Sequence, residues 1–563
     1  MGSKGKYRGM ALLFLAAFLL SSVYAEEVEE EECDIHAYFD EGAMTLDTWK
    51  IVLGTIFFVI VLPFIFFEIR FFPVETTAAV LIGSFLMVAF TIISQPVTYE
   101  ILGEVENLRT IFLLMGMMLM AQYFERELLI NKVLNAFLKD NTTMFGYLWR
   151  VGLLSFILSA LFTNDAVCLI VTPLVLKHWA RQNRQTNELE TVLLCIATNA
   201  NIGSSMTIFG NPQMALIASV TDSHPYSRLD LLTCFTYIVL PAVIGYFLNL
   251  FFLLMHYNYG CMTKPASPPL LGYDPEEMNM DAVGDEKTQS VENSGTSANS
   301  MRLGADRNAT KTTERSQNAG DKSTGGCVVN ENGTLITSVT VVEENKYNPE
   351  EYGPTENKKF HICMCLIMTL VVALFIASTK EVPFDIGLVP MAGAVMMMIA
   401  DGLMNKRNSL QIIKRIDWDV LLLFFGFFVW LGAFNYTGVP RWFWTKLGLD
   451  HNDMVTFEEI ALMVSFVIIG SNLFSNVPLC ILVLAQLNPC KNQLGMVLYL
   501  AWVSTVAGNL TLFGSVANLI VAQKSLQTLK FRLTFWAYLK YGFVTTMIIC
   551  LLGVGIIYGL LLI

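Results

Sequence analysis

Thr163-Asn164-Asp165 and, some forty residues later, Ser204, Ser205, Thr207 and Asn211 place hydroxyls, amides and one carboxyl inside sequence that is otherwise strongly apolar. Gly203, Gly210 and Pro212 lie among them, so a helix running through either stretch is expected to break there. A broken helix within lipid leaves backbone N–H and C=O groups without partners, and is tolerated only where protein or a water-filled cavity surrounds it. The side chains at such breaks can supply hydrogen bonds to a small polar solute or an ion, and the carboxyl of Asp165 could carry a proton.

The pattern returns. Leu473-Phe474-Ser475-Asn476 repeats Leu161-Phe162-Thr163-Asn164 at an offset of 312 residues, with Cys480 standing where Cys168 stands. Leu510-Thr511-Leu512-Phe513-Gly514 repeats Met206-Thr207-Ile208-Phe209-Gly210 at an offset of 304. Two ordered matches, each at a helix break, identify a two-fold internal repeat, and breaks of this kind near the midplane mark binding sites in secondary transporters. The elements that position these residues are therefore two hairpins and two broken spans.

Each break starts a new half-helix whose first N–H groups lack intrahelical acceptors. Asn164 or Asp165 is expected to cap the first, and Asn211 the second with Pro212 just inside it. Ser475-Asn476 opens the third and Ser515 the fourth. Capping alone would explain these residue types. Their convergence from two repeats adds a second role: Thr163, Asn164, Asp165, Ser204, Ser205, Thr207, Asn211, Ser475, Asn476, Asn509, Thr511 and Ser515 form the expected solute- or ion-binding set. Asp165 is matched by Val477 in the second repeat, so the acid occurs on one side only. An intramembrane carboxyl is a functional candidate, here for proton coupling. The plainer alternative is a static, ionised cap.

Hydrophobic residues make up 54% of the chain and charged residues 15%, which excludes an ordinary soluble domain and implies an all-α, polytopic membrane protein. Residues 1–25 have the basic start, apolar core and small residues of a signal peptide. An acidic extracytoplasmic segment over 26–48 follows. The first repeat occupies 49–257, with spans near 49–68, 73–95 and 108–124. A re-entrant hairpin with two short arms over 144–179, a broken span over 189–220 and a last span over 231–255 complete it. Residues 258–359 are polar and lack apolar periodicity, as a disordered cytoplasmic linker does. The second repeat, 360–563, has the same plan. Counting the hairpin as no crossing gives five spans per repeat, so the repeats are inverted. Residues such as Arg126, Lys132, Arg181, Lys406, Arg407 and Lys530 then fall inside, against Arg109, Arg228, Lys380, Arg441, Lys446 and Lys491 outside. Amphipathic residues 125–140 and 404–415 read as matching segments of the two repeats. The eleven Cys residues show no disulfide framework or zinc spacing, and Cys168 and Cys480 read as small buried apolar residues.

Phe162-Thr163-Asn164-Asp165, Gly210-Asn211-Pro212-Gln213, Ser475-Asn476-Val477-Pro478 and the run from Ala501 to Thr511 resemble the ion transporter superfamily, which includes arsenite efflux permeases and dicarboxylate carriers. Within it the chain looks most like plant-type silicon efflux transporters, and the likeness covers both membrane halves. The resemblance implies a secondary active transporter that exports silicic acid or a related small oxyacid in exchange for protons. Other outcomes within this reading are an arsenite, borate or other anion permease and a sodium-coupled carrier; a channel is a further class. The sodium-coupled dicarboxylate branch shows Ser-Asn-Thr at both hairpin tips, whereas these tips read Thr163-Asn164-Asp165 and Ser475-Asn476-Val477. No nucleophile–base pair, metal cluster or cofactor loop is apparent, so no enzyme activity, cofactor or metal is expected. The expected partners are a small inorganic solute, protons and membrane lipid, with no nucleic acid and with homo-oligomers left open. The expected location is the plasma membrane or a vesicle membrane of a eukaryote.

Overall fold

The computed structural model describes residues 46–66, 76–138, 143–182, 186–224, 226–263, 353–377, 384–450, 454, 456–488 and 491–563. The signal over 1–25, residues 26–45 of the acidic segment and residues 264–352 of the linker lie outside the described residues. Regular structure among the described residues is helical throughout.

The first part of the chain contains α1 (Thr48–Phe66), α2 (Thr76–Ala89), α3 (Gln95–Gly103), α4 (Val105–Arg126), α5 (Leu129–Phe137), α6 (Met144–Leu161), α7 (Asn164–Arg181), α8 (Thr186–Ser204), α9 (Pro212–Thr221), α10 (Leu231–Tyr237) and α11 (Val239–Thr263). The second contains α12 (Lys358–Ala377), α13 (Leu388–Met404), α14 (Leu410–Ile413), α15 (Trp418–Tyr436), α16 (Val439–Lys446), α17 (Phe457–Phe474), α18 (Asn476–Leu484), α19 (Leu494–Ala507), a 3-10 turn (Leu512–Gly514), α20 (Val516–Leu529) and α21 (Phe535–Leu561). Each helix from α12 to α18 falls close to 312 residues after its counterpart, and α19 to α21 fall close to 304 after theirs. Among the described residues six helices, α6, α11, α12, α15, α17 and α21, are long and apolar enough to cross a membrane.

Local chemistry accounts for several departures from the expected boundaries. The span expected over 73–95 stops at Ala89, and Ser94 then caps a separate helix whose second residue is Pro96. The span expected from 231 is interrupted at Ile238, and α11 continues to Thr263, into what was expected to be linker. The arms of the first hairpin are not short. Each has 18 residues, which is about 27 Å of helix, so the polar tip rather than arm length turns the chain. The two amphipathic segments do not correspond to each other either. The counterpart of α5 is α16, and that of α14 is α3, since each lies near the 312-residue offset. Residues 125–140 follow the third span of their repeat, whereas 404–415 follow the second span of theirs.

Packing follows the repeat by exchange. Helix α4 packs on α13 while α2 packs on α15, and α7 packs on α20 while α9 packs on α18. Helices α8 and α19 lie at the centre, buried on all sides from Thr191 to Ser205 and from Met496 to Asn509. Such all-round apolar helices are stable only inside a larger body. Gly203 shows how close the central crossing is: a Cβ there would lie 2.1 Å from the carbonyl oxygen of Phe156, so α6 and α8 meet backbone to backbone.

Ion pairs tie the two parts together near both ends of α4. At its start Arg109 bonds Asp385 at 2.7 Å and Asp222 at 3.0 Å, and Arg228 bonds Asp222 at 2.8 Å. At its end Arg126 holds Asp401 through two contacts of 2.7 and 3.0 Å and also pairs with Glu127. The 17-residue step from Arg109 to Arg126 separates these clusters by about 25 Å along the helix.

Candidate functional site

The first hairpin tip is capped by Thr163, not by Asn164 or Asp165. Thr163 is extended, and its hydroxyl accepts from the Ala166 N–H at 3.3 Å. This frees the next two side chains for other contacts. The Asn164 backbone N–H donates to the Gly210 carbonyl at 2.9 Å, joining the tip to the break between α8 and α9. Its side-chain oxygen accepts from the Asp165 N–H, and its Nδ2 donates to Asn201 Oδ1 at 2.9 Å.

Asn201, on the last turn of α8, is where the two repeats meet. Its Oδ1 also accepts from the Ser515 hydroxyl at 3.2 Å, while its Nδ2 donates to Asn509 Oδ1 at 2.8 Å and Asn518 Oδ1 at 3.0 Å. Ser515 stands at the N-cap of α20 with no side-chain capping bond, because its hydroxyl turns to Asn201 instead. Asn509 Nδ2 donates to the Thr198 carbonyl, and Asn518 Nδ2 satisfies the Gly508 and Thr511 carbonyls left over at the second break.

Asn211 fills its expected place as the cap of α9. Its Oδ1 accepts from Met214 N–H at 2.8 Å, with Pro212 at the first helical position. Its Nδ2 donates to Ser204 Oγ at 2.9 Å and across the repeats to Thr505 Oγ1 at 3.3 Å. Thr505 is the counterpart of Asn201 and Ser515 that of Asn211, so the bonds from 201 to 515 and from 211 to 505 form a related pair. Other pairs agree. Ser159 Oγ donates to the Ala200 carbonyl and Ser471 Oγ to the Ser504 carbonyl; Thr207 Oγ1 donates to the Ala160 carbonyl and Thr511 Oγ1 to Asn472 Oδ1. Ser204 and Ser205 hydroxyls return to the Asn201 and Ile202 carbonyls of their own helix.

At the second tip the symmetry fails. Ser475 has φ 71° and ψ 158°, a region that suits glycine, and its hydroxyl caps nothing. Asn476 accepts from the Ser471 hydroxyl. Asp165 is the other asymmetric feature. It is partly exposed and lies at the start of α7, which packs along α20. Oδ1 is buried with no hydrogen-bond partner among the described residues.

The structure thus gathers Thr163, Asn164, Asp165, Asn509 and Ser515 around Asn201, and joins Asn211 to Ser204 and Thr505. Ser205, Thr207, Asn476 and Thr511 brace the surrounding breaks, and Ser475 lies at the second tip. The buried amides satisfy one another, so they form a polar core more than an open lining. Asn201, Thr505 and Asn518 were missed as site residues, although each lies within about a turn or two of a recognised break. Cys168 and Cys480 are fully buried, and among the described residues no cluster could hold a metal.

An all-helical body with several membrane-spanning helices and paired helix breaks around a buried polar core defines a multi-pass integral membrane transporter. Residues 57–507 match the citrate transporter (CitMHS) family model, and the chain belongs to that family. It is 26% identical over 525 residues to the silicon efflux transporter LSI3 of Oryza sativa subsp. japonica, covering 90% of this chain and 98% of the relative. It is 27% identical over 518 residues to the putative transporter arsB of Dictyostelium discoideum, covering 86% and 87%. A crystal structure of the Alcanivorax borkumensis YdaH transporter, 13% identical, aligns over 91% of this chain and 98% of that one with a TM-score of 0.44. The resemblance to the arsenite-permease-like branch of the ion transporter superfamily holds, and the protein is a transporter rather than an enzyme.

Proposed function

We propose that the protein exports silicic acid or a related small oxyacid in exchange for protons, through two inverted repeats joined by a cytoplasmic linker. The observation that carries this reading is Asp165. It is the one carboxyl at the meeting of α7 and α20, and its Oδ1 is buried with no hydrogen-bond partner among the described residues. A group so placed can take and release a proton as access to it changes. The rest of the site is neutral, built from amides and hydroxyls that both donate and accept, which suits a small polyhydroxylated acid. A polycarboxylate such as citrate would call for cationic side chains, and the site residues include no Lys or Arg; helix N-termini supply only partial positive charge. The relative named as a silicon efflux transporter supports the same solute class.

The experiment is flux through the purified protein in sealed vesicles, with silicic acid, borate, arsenite and citrate each tested under an imposed pH gradient and an imposed sodium gradient. Saturable silicic acid movement driven by the pH gradient is the expected result. Citrate preference, or drive by sodium alone, would replace this reading with that of a sodium-coupled carboxylate carrier, and non-saturable flux with that of a channel.

A further inference from the structure

Asn201 is 1% exposed and uses all four hydrogen-bonding positions of its amide on side chains from other segments of the chain. Turned over, it would set its nitrogen against the Asn164 nitrogen, so its partners fix its orientation. No position is left for a solute. Its partners are nonetheless placed in a particular way. Asn164 is the residue before Asp165 and accepts its backbone N–H, and Asn518 lies in the first turn of α20. The starts of α7 and α20 are therefore joined, beside Asp165, by the link from Asn164 through Asn201 to Asn518. This link is buried side-chain bonding, and its α7 end also holds the backbone of the proposed proton carrier, on which Asp417, just before α15, acts from a further element.

The repeat supplies no equivalent on the other side. Thr505, the counterpart of Asn201, accepts one bond from Asn211, and Val477, the counterpart of Asp165, has no polar side chain. The four-fold bonded amide and the carboxyl thus occur at the same one of the two related junctions.

We infer that Asn201 is a positioning residue that sets the spacing between the starts of α7 and α20, and through it the surroundings of the Asp165 carboxyl. It does not touch the solute. It rests on the proton-exchange reading above.

The test is the pH profile of silicic acid efflux from sealed vesicles containing the full-length protein, comparing the unaltered chain with Asn201→Ser, Asn518→Ser and the two combined. Ser at 201 is too short to hold both sides. The expected result is a displacement of the pH midpoint by about one unit, a tenfold change in proton affinity, with a silicic acid KM changed less than about threefold. Asn518→Ser, which removes one of the four bonds, is expected to move the midpoint less, and the combined variant no further than Asn201→Ser alone. If Asn201→Ser fails to fold, Asn518→Ser carries the comparison. An unchanged midpoint with lower maximal flux would make Asn201 a structural residue only. An unchanged midpoint with a tenfold higher KM would make it a solute contact. Either result overturns the inference while leaving proton exchange intact, whereas efflux from the unaltered protein that ignores pH overturns both.

Discussion

Replacing Arg126 by Met is expected to destabilise the protein by about 3–5 kcal/mol, the range for removing one partner of a buried ion pair. The guanidinium is 2% exposed, and the carboxylates of Asp401 and Glu127 are both fully buried. It makes two bonds to Asp401 and two contacts to Glu127, and lies 5.0 Å from the Tyr123 ring centroid and 5.6 Å from that of Phe360. Met would keep much of the ring packing. The charge loss falls unevenly: Glu127 retains the Thr355 hydroxyl and N–H and His361, whereas Asp401 retains the Asn405 amide. Asp401→Asn leaves Arg126 paired with Glu127 and should cost less, roughly 1–3 kcal/mol. Combining Arg126→Met with Asp401→Asn should cost less than the sum, because the stranded charge is gone. A chain of this size need not unfold in two states, so the rank order of melting temperatures in detergent is the measure. Asp401→Asn proving more damaging than Arg126→Met, or both melting as the unaltered protein does, would refute the account of this cluster.

Glu127 adds a pH dependence. Burial pushes its carboxyl up, but the Thr355 hydroxyl and N–H, His361 and Arg126 outweigh burial and hold it below the ordinary 4.5. Its stabilising contribution is thus full above about pH 4.5 and lost as pH falls through the lower folded value; Glu127→Gln should remove this acid-dependent loss of melting temperature, and an unaltered acid limb would contradict the assignment. Ser475→Gly should raise the melting temperature, since backbone in this region costs of order 1–3 kcal/mol for a residue with a side chain; a lower melting temperature would mean the tip is not strained. Asn308 and Asn332, outside the described residues, should carry no glycan if the linker is cytoplasmic, and a glycosidase-sensitive mass shift lost on changing both to Gln would overturn that topology.

The breaks themselves were legible because Gly, Pro and amides interrupt apolar sequence, and Asn211 with Pro212 shows the expected cap in full. The residue that holds the breaks together was less visible. Asn201 sits within a helix one turn before its break, and three of its four bonds run to residues more than three hundred positions away. The cap of α7 was misassigned because Thr, Asn and Asp are all competent caps, and their backbone angles decide which one serves. Arg126 and Asp401 carried no local sign of pairing, since α4 and α13 come together only through exchange between the two parts of the chain. The arm length of the first hairpin was misjudged for a related reason: burial against α8 and α20 sustains helix through Pro173 and past the lipid-like stretch.

The central claim is that Asp165 couples solute movement to protons, and Asp165→Asn tests it most directly. Asn keeps the shape and a hydrogen-bond acceptor, but it does not titrate. In sealed vesicles this variant is expected to fold and to exchange silicic acid for silicic acid, while an imposed pH gradient no longer drives net efflux. Undiminished gradient-driven efflux from Asp165→Asn would contradict the account.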